Sequence, residues 1–385
     1  MKKVVGRLFV TAAVAGMAGV AQADEPARPD FPVVVPQEAP APAAAPACCE
    51  QPAPAVNWTF GMSTSYTYDF NSPDTDAAPP GPLVGNNGLY ANFEQDESFN
   101  IDLVQLGASG ERGKLSYGAK LDYGDLARLA GDSSDGDIAL QEAFISYDFD
   151  VLSATAGRFA TPVGYELLEP WGNPNVSRSW TWIAQPINHD GLKLNGSFDI
   201  VDVGVGVVNR FTVADQDILM NDADDEKGIF ANIGVSVSDA FNIYGVGLWN
   251  EELDDTDQWL GNGIISGDIA MGDNDVNYAV EGMFRRNDDD DTGADDMWSI
   301  AGYFGFDVGP VGMNLRGEYV DDEGILFGQD TKLWAATVTG SVELVDGVEF
   351  RVEYRHDDAD EDIYLDDSDG DDTDDVIQAQ LYWAP

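Results

Sequence analysis

Acidic and basic residues that could face one another occur in two parts of this sequence. The first part is the segment 157–190, which is rich in proline and tryptophan and carries Glu166, Glu169, Arg178, His189 and Asp190. In the second part, nearer the C-terminus, charges alternate with apolar residues, and the set comprises Arg285, Arg316, Arg351, Arg355, Glu281, Glu318, Glu349 and Glu353. Opposite charges on two sides of a small space create a field that orients polar molecules. The alternative is that these residues pair with one another and simply fill space.

Enzyme chemistry has little support in the sequence. The two histidines, His189 and His356, both fall in predicted loops, and no G-x-S-x-G, metal-ligand or phosphate-loop pattern occurs. The acidic run LDDSDGDDTDD lacks the calcium-loop pattern, because Asp372 and Gln378 stand where Gly and Glu are needed, counting from Asp367. We expect no enzyme and no cofactor, with His189 fixing a loop by hydrogen bonding. The acidic run is expected to be a solvated surface, or at most to bind divalent cations weakly.

The N-terminal region indicates export. Residues 1–23 have a positively charged start, a short apolar core and an Ala-Gln-Ala cleavage site, which predicts a secretory signal peptide. Residues 24–56 are rich in Pro and Ala and predict a semi-extended periplasmic linker. This linker contains Cys48 and Cys49, for which intermolecular pairing and a silent role both stay open. The remaining domain, 57–385, must contain the folded structure.

The overall charge restricts the partners. A formal net charge of −51 over 385 residues excludes nucleic acid, because its phosphates would be repelled. Aromatic residues make up 11% of the chain, which is too many for a solvated acidic polymer. The acidic and the aromatic residues must therefore occupy different surfaces.

Strict alternation of apolar and polar residues predicts β-strands throughout the domain. In the run from Val348 to Arg355, apolar residues alternate with four charged ones, so one face is wholly apolar and the other is charged. A soluble sandwich could also bury such a face. Aromatic residues at the strand ends, among them Trp58, Tyr354 and Trp383, instead resemble the girdles of a transmembrane barrel with an apolar outside and a polar lumen.

The spacing of the strands predicts a closed antiparallel barrel of sixteen strands, with fourteen as the alternative. The predicted strands start near 57, 98, 115, 138, 153, 191, 201, 228, 241, 263, 276, 297, 311, 331, 348 and 376. Short turns alternate with long connections, as expected for periplasmic turns and outer loops. The long connections are 71–97, 124–137, 159–190, 210–227, 250–262, 286–296, 320–330 and 356–375. They hold most of the acidic residues, which predicts an acidic outer rim.

The segment that carries the first charged set resembles a known family. The stretches GRFATPVGYE, NPNVSRSW and QPINHDGLKL are similar to the signature of the OmpL-like β-barrel porins. Two departures are Asp190, where a small hydroxyl residue is expected, and the C-terminal Ala384-Pro385, which follow the aromatic residue that usually ends such a chain. The resemblance implies an outer-membrane porin of a Gram-negative-type bacterium, surrounded by lipid and assembled as a homotrimer.

The charged residues then acquire an expected arrangement. The third long connection holds three acids, fewer than any other, so we expect it to fold into the lumen. Its charges would face the wall charges across a constriction that passes small hydrophilic solutes by passive diffusion, with cation preference at low salt. A phosphate-selective porin is disfavoured, because only Lys120 and Lys193 among the lysines have lumen parity. A barrel-anchored surface structural protein or adhesin that uses its acidic loops is the alternative from another class.

Overall fold

The computed structural model describes residues 56–72, 97–130, 138–209, 227–252, 256–271, 274–289, 293–366 and 369–384, and every structural statement below concerns these residues. The predicted signal peptide, nearly all of the predicted linker and both cysteines lie outside them. None of the described helices is long and apolar enough to cross a membrane.

Sixteen antiparallel strands form a closed barrel, as predicted, and the alternative of fourteen is excluded. Each strand pairs with its neighbours in the chain, and β1 closes the barrel against β18. The barrel strands are β1 (Val56–Asp69), β2 (Ser98–Arg112), β3 (Leu115–Tyr123), β4 (Ile138–Asp148), β5 (Leu152–Ala160), β6 (Asn188–Phe198), β7 (Val201–Val208), β8 (Gly228–Ser238), β9 (Phe241–Glu252), β10 (Thr256–Met271), β11 (Asn274–Asp289), β12 (Gly293–Val308), β13 (Val311–Glu323), β14 (Asp330–Val345), β15 (Val348–Ala359) and β18 (Thr373–Trp383).

Five short elements lie outside the barrel sheet among the described residues. A small hairpin of β16 (Tyr364–Asp366) and β17 (Asp369–Asp371) precedes the last barrel strand. Two single-turn helices are α1 (Ala127–Ala130) and α2 (Trp180–Ile183), and a 3₁₀ turn spans Pro170–Gly172. The α2 helix and the 3₁₀ turn both belong to the segment between β5 and β6.

The outer face of the barrel is apolar because outward apolar and inward polar residues alternate along most of each strand. On β15, Phe350, Val352 and Tyr354 point outward and are exposed, whereas the residues between them are buried inside. Because the barrel is closed, every barrel strand is hydrogen-bonded to a neighbouring strand on each side. A membrane requires this of a sheet, since unpaired backbone groups are costly in lipid. Rings pack on one another at the ends of the strands, for example Phe60 with Trp383, whose centroids are 5.6 Å apart. This arrangement fits an apolar band with aromatic borders.

The height of the wall is uneven. Strands β3 to β8 contain 8 to 11 residues, whereas β10, β11, β12 and β14 contain 16. Two predicted loops, 250–262 and 286–296, are therefore wrong in extent: most of their residues belong to the paired ends of β9 to β12. These strand ends are polar on both faces and extend the wall beyond the apolar band. Their outward charges form surface ion pairs such as Arg286 with Asp296.

The barrel interior is less polar than predicted. Inward-facing Phe230, Tyr244, Leu248 and Met283 belong to one buried apolar cluster that includes Trp180 of the segment between β5 and β6. This cluster spans β7 to β12 and also reaches β13, β14 and β15. The interior therefore contains an apolar core that a uniformly hydrated channel would not have.

Candidate functional site

Residues 161–187, here called the inner loop, connect β5 to β6 and lie inside the barrel. Nearly all of them are buried, including the three tryptophans Trp171, Trp180 and Trp182. The loop folds on its own hydrogen bonds. The Asn173 side-chain amide accepts from the Leu167 amide at 2.7 Å and donates to the carbonyls of Leu167 and Glu169 at 2.8 and 2.7 Å.

Arg178 braces this loop from within. Its guanidinium donates to the carbonyl oxygens of Leu167, Leu168 and Val176 at 2.9, 2.8 and 2.9 Å. Burial lowers the pKa of Arg178 to about 10, so the side chain stays protonated at neutral pH. Because its donors point at loop carbonyls, Arg178 acts as a structural cross-link and presents little charge to solutes.

Glu166 ties the inner loop to β13. The Arg316 guanidinium donates to Glu166 at 3.0 Å and to Glu318, two residues along the same strand, at 2.9 Å. All three side chains are fully buried, at 0% exposure. Both carboxylates also accept from loop amides: Glu166 from Ser179 and Glu318 from Trp180, each at 2.7 Å. Glu166 of the loop and Arg316 of the wall therefore meet directly in a buried ion-pair network.

Glu353 and Arg355 on β15 hold the same part of the loop. Glu353 accepts from the backbone amides of Val176 and Ser177 at 2.6 and 2.8 Å. Arg355 donates to the Arg178 carbonyl at 2.6 Å and to Asp357 at 2.5 and 2.7 Å.

Two further residues of β15, Asp357 and Arg351, also contact the inner loop. Asp357 accepts from the Trp180 indole at 2.7 Å. Arg351 donates to Glu349 at 2.6 Å, to the Tyr382 hydroxyl at 2.9 Å and to the Pro170 carbonyl at 3.2 Å. Arg351 and Arg355 therefore each donate both to a carboxylate on β15 and to a backbone carbonyl of the inner loop.

The opposite end of the inner loop is fixed to β2, β3 and β4. The Lys120 ammonium lies 2.7 Å from Glu169 and 3.2 Å from Glu142, and Gln141 donates to Glu169 at 3.0 Å. Burial opposes ionisation of Glu169, but Lys120 and the hydrogen bonds outweigh it and hold the pKa of Glu169 at about 2. The carboxylate is therefore ionised at any physiological pH.

Glu281 and Arg285 on β11 contact the loop between these two anchors. Glu281 accepts from the Tyr165 amide at 3.1 Å and from Asn262 at 2.8 Å. Arg285 donates to the Ala184 carbonyl at 3.4 Å. The loop thus has polar contacts with strands on both sides of the barrel.

His189 and Asp190 are not part of the loop, because β6 begins at Asn188. His189 points inward, with its Nε2 3.0 Å from the Thr161 hydroxyl, consistent with a role in fixing the chain entering the loop. Asp190 points outward, on the same face as exposed Leu192, and forms an ion pair with Arg158 of β5 at 2.5 Å. Its predicted place on the loop side of a constriction is therefore wrong.

Sequence reasoning missed several partners that complete the site. Asp357 shares the parity of Arg355 and could have been found from that signal alone. Gln141, which contacts Glu169, and the pair formed by Asp102 with Ser63 at 2.6 Å carry no such signal. Their role depends on which strand lies opposite, and a single strand pattern does not encode this.

The fold and the site together define a class of protein. A closed barrel of sixteen antiparallel strands, apolar outside and with a loop anchored inside, is an outer-membrane porin. The chain belongs to the family described as putative beta-barrel porin-2, OmpL-like, whose model matches residues 56–383. This agrees with the resemblance seen in the residues around the inner loop.

Solved structures share the fold at low sequence identity. The anion-selective porin from Comamonas acidovorans has a TM-score of 0.57 and 12% identity, over 86% of this chain and 100% of that one. OmpT of Vibrio cholerae has a TM-score of 0.56 and 11% identity, over 87% and 99%. OprB of Pseudomonas putida has a TM-score of 0.55 and 8% identity, over 85% and 93%. No curated protein matches the sequence.

Proposed function

We propose that this porin passes small hydrophilic solutes and ions by passive diffusion and performs no catalytic chemistry. The observation that carries the proposal is the inner loop, which is held inside a closed barrel by ion pairs and hydrogen bonds to β13 and β15. A barrel that served only as an anchor would have no need of a loop fixed at this depth. The fixed loop instead supports a defined opening between the loop and the remaining wall.

Planar-bilayer recording of the purified full-length protein tests this proposal. Stable, open single-channel conductance supports the porin. A barrel that inserts, as judged by its heat-dependent gel mobility, but never conducts would overturn the proposal. That result would favour the surface structural protein or adhesin that uses its acidic loops.

The acidic rim supports cation preference in dilute salt. The chain carries 70 acidic residues against 19 basic ones, and outward carboxylates such as Asp288 and Asp296 stand on the extended strand ends. The Debye length is about 10 Å at 0.1 M salt and roughly 3 Å at 1 M, so the rim field reaches far into solution only in dilute salt. We expect a reversal potential that indicates cation preference in dilute KCl and declines towards 1 M. Anion preference in dilute KCl would contradict the role of the rim.

Assembly and metal binding complete the proposal. One of the solved structures that share the fold is described as the trimer form of OmpT. We propose a homotrimer here as well, which light scattering of the detergent complex tests. Weak divalent-cation binding to the run 365–375 is proposed, and calorimetry with Ca²⁺ tests it. Among the described residues, no group of His, Cys, Asp or Glu has the geometry of a metal site.

A further inference from the structure

Two outer connections of the barrel contribute buried apolar side chains to its interior. The first is the turn between β13 and β14, residues 324–329, and the second is the segment 360–366, which follows β15 and includes β16. Phe327 in the turn and Ile363 and Tyr364 in the segment are each only 1% exposed, although connections at the rim are normally in contact with water. The two segments together are here called the outer cap.

One carboxylate fixes the shape of the turn in the outer cap. Asp322, near the end of β13, is buried. Its carboxylate accepts from three successive backbone amides, those of Ile325, Leu326 and Phe327, at 2.9, 3.0 and 3.0 Å. Gly324 begins the turn with a φ of +122°, a conformation that glycine adopts without strain. The turn therefore holds the Phe327 ring in one position, directed into the barrel.

The outer cap packs on the inner loop through aromatic rings. The Phe327 ring meets the Trp180 ring edge to face, with centroids 5.1 Å apart, and both rings belong to the same buried apolar cluster as the segment 360–366. This segment is itself tied to β14, because the Lys332 amide donates to the Asp360 carboxylate at 2.6 Å and the Asp360 amide donates to the Lys332 carbonyl at 2.9 Å. Both parts of the outer cap are therefore fixed to the wall and face the inner loop.

Trp180 joins the outer cap to the charged residues of β13 and β15. Its backbone amide donates to Glu318 and its indole donates to Asp357, each at 2.7 Å. The Arg355 guanidinium lies 5.7 Å from the centroid of its ring. The side chains of Glu318, Arg355 and Asp357 are no more than 1% exposed. The same tryptophan thus contacts Phe327 and a network of buried charges.

The strength of this charged network depends on the exclusion of water. The attraction between two charges weakens as the surrounding dielectric constant rises, and salt screens an exposed pair much more than a buried one. An apolar cover that keeps water out therefore keeps the attraction between Glu166 and Arg316 strong and insensitive to salt.

We propose that Phe327 is a positioning residue for the inner loop. By packing on Trp180, it keeps water and salt away from the ion pairs that hold the loop, so that the loop stays in one position while solutes pass. The inference rests on the proposed porin function. It adds that an outer connection, together with the wall strands, sets the position of the inner loop.

Hydrogen–deuterium exchange of the purified protein in detergent is the first test. It follows the backbone amides that donate to the carboxylates of Glu353, Glu166 and Glu318, which are those of Val176, Ser177, Ser179 and Trp180. In Phe327→Ala these amides should exchange about tenfold faster, because the cavity left by the ring weakens the closed state of the loop. Phe327→Leu fills most of this space, and its exchange should stay within about threefold of the wild type.

The matched control carries the same substitution on the outer face. Phe284 of β11 is 44% exposed, so Phe284→Ala should leave the exchange of these amides unchanged. Asp322→Ala is the second variant, used if Phe327→Ala does not fold. It removes the acceptor that shapes the turn, keeps every ring and should give the same faster exchange. Wild-type exchange in a variant that folds, as judged by heat-dependent gel mobility, would overturn the inference.

Current noise at two salt concentrations separates positioning from a general loss of stability. Relative to the mean current, the noise of the wild type and of Phe284→Ala should be equal at 0.1 M and 1 M KCl. In Phe327→Ala it should rise about twofold towards 1 M, because salt screens the ion pairs once water reaches them. Noise that does not depend on salt in Phe327→Ala would contradict the proposed role. A wild type that does not conduct would overturn the porin function, and the exchange experiment would still decide the role of Phe327.

Discussion

Two walls of this barrel face the same lumen and use charge in different ways. The wall of β13, β14 and β15, here called the charged wall, presents arginines and carboxylates in sealed pairs that hold the inner loop. The wall of β5, β6 and β7, here called the small-residue wall, presents mostly glycine, serine and threonine, with Lys193 as its one unpaired cation among the described residues.

This difference shows that charged side chains facing the lumen can serve to hold the inner loop. Moving a charge out of water costs several kcal/mol, and the charged wall offsets this cost by pairing each charge almost completely. The charges of this wall therefore serve to hold the inner loop in place. Lys193 has no such carboxylate partner among the described residues, and its one ring contact, with Phe159, carries no net charge.

Removing Arg316 should have the largest effect on the charged wall. Arg316→Leu leaves the buried Glu166 without its ion-pair partner and leaves Glu318 with Arg355, 3.6 Å away, and breaking a buried pair in this way costs about 3–5 kcal/mol. We expect a lower midpoint of thermal unfolding and noisy, unstable single-channel currents. The matched control is Lys332→Gln, which breaks the exposed Lys332–Asp321 pair and should cost at most about 1 kcal/mol. Equal behaviour of the two variants would mean that the inner loop is not anchored by charge.

Removing Glu353 tests whether backbone contacts matter as much as ion pairs. Glu353→Ala leaves the amides of Val176 and Ser177 without their acceptor, at a cost of about 1–3 kcal/mol for each buried group. We expect increased current noise and faster proteolytic cleavage within the inner loop. Protection equal to that of the wild type would show that Glu166 and Arg316 suffice to hold the loop.

Acid should release the other end of the loop. The folded-state pKa of Glu169 is about 2, below its ordinary value, so its contact with Lys120 stabilises the folded loop above an ordinary carboxyl pKa. That contribution declines as the pH falls from about 4.5 towards 2. Conductance noise should be unchanged between pH 7 and pH 5 and should rise below about pH 4. In Glu169→Gln this pH dependence should be absent, and its persistence would assign the acid response to another group.

The smallest effect on stability is expected on the small-residue wall. Lys193→Gln removes no described ion pair or hydrogen bond but does remove the contact with the Phe159 ring, so the free energy of unfolding should fall by about 0.5–1 kcal/mol. Thermal unfolding of this variant alongside Arg316→Leu checks the contrast between the two walls. A loss comparable to that of Arg316→Leu would show that Lys193 has a structural role and would weaken the comparison.

The fold followed from the sequence more completely than the site did. Alternation on β15 correctly placed Arg351, Glu353 and Arg355 on the inner face, because parity alone decides which way a strand residue points. The loop boundaries at 250–262 and 286–296 failed, because paired strands above the membrane are polar on both faces and resemble loops. Asp190 was misplaced for a related reason, since β6 gains its first residues by pairing with Phe159 and Ala160.

The pairing of the charges could not be predicted at all. Glu166 and Arg316 are 150 residues apart, and which of them meet depends on the tilt and stagger of sixteen strands around the barrel. Strand patterns do not contain the stagger. The sequence therefore indicated which residues enter the lumen and left open whether they face a solute or one another.

The distance along the chain between the inner loop and its partners also sets an order of assembly. The backbone amide of Val176 can form its hydrogen bond only after Glu353, 177 residues further along the chain, is in place. The barrel itself closes only when β18 pairs with β1. A chain made or inserted as far as β12 holds an inner loop that lacks its contacts with β13, β14 and β15. Insertion of the strands from β13 to β18 therefore both closes the barrel and fixes the inner loop inside it.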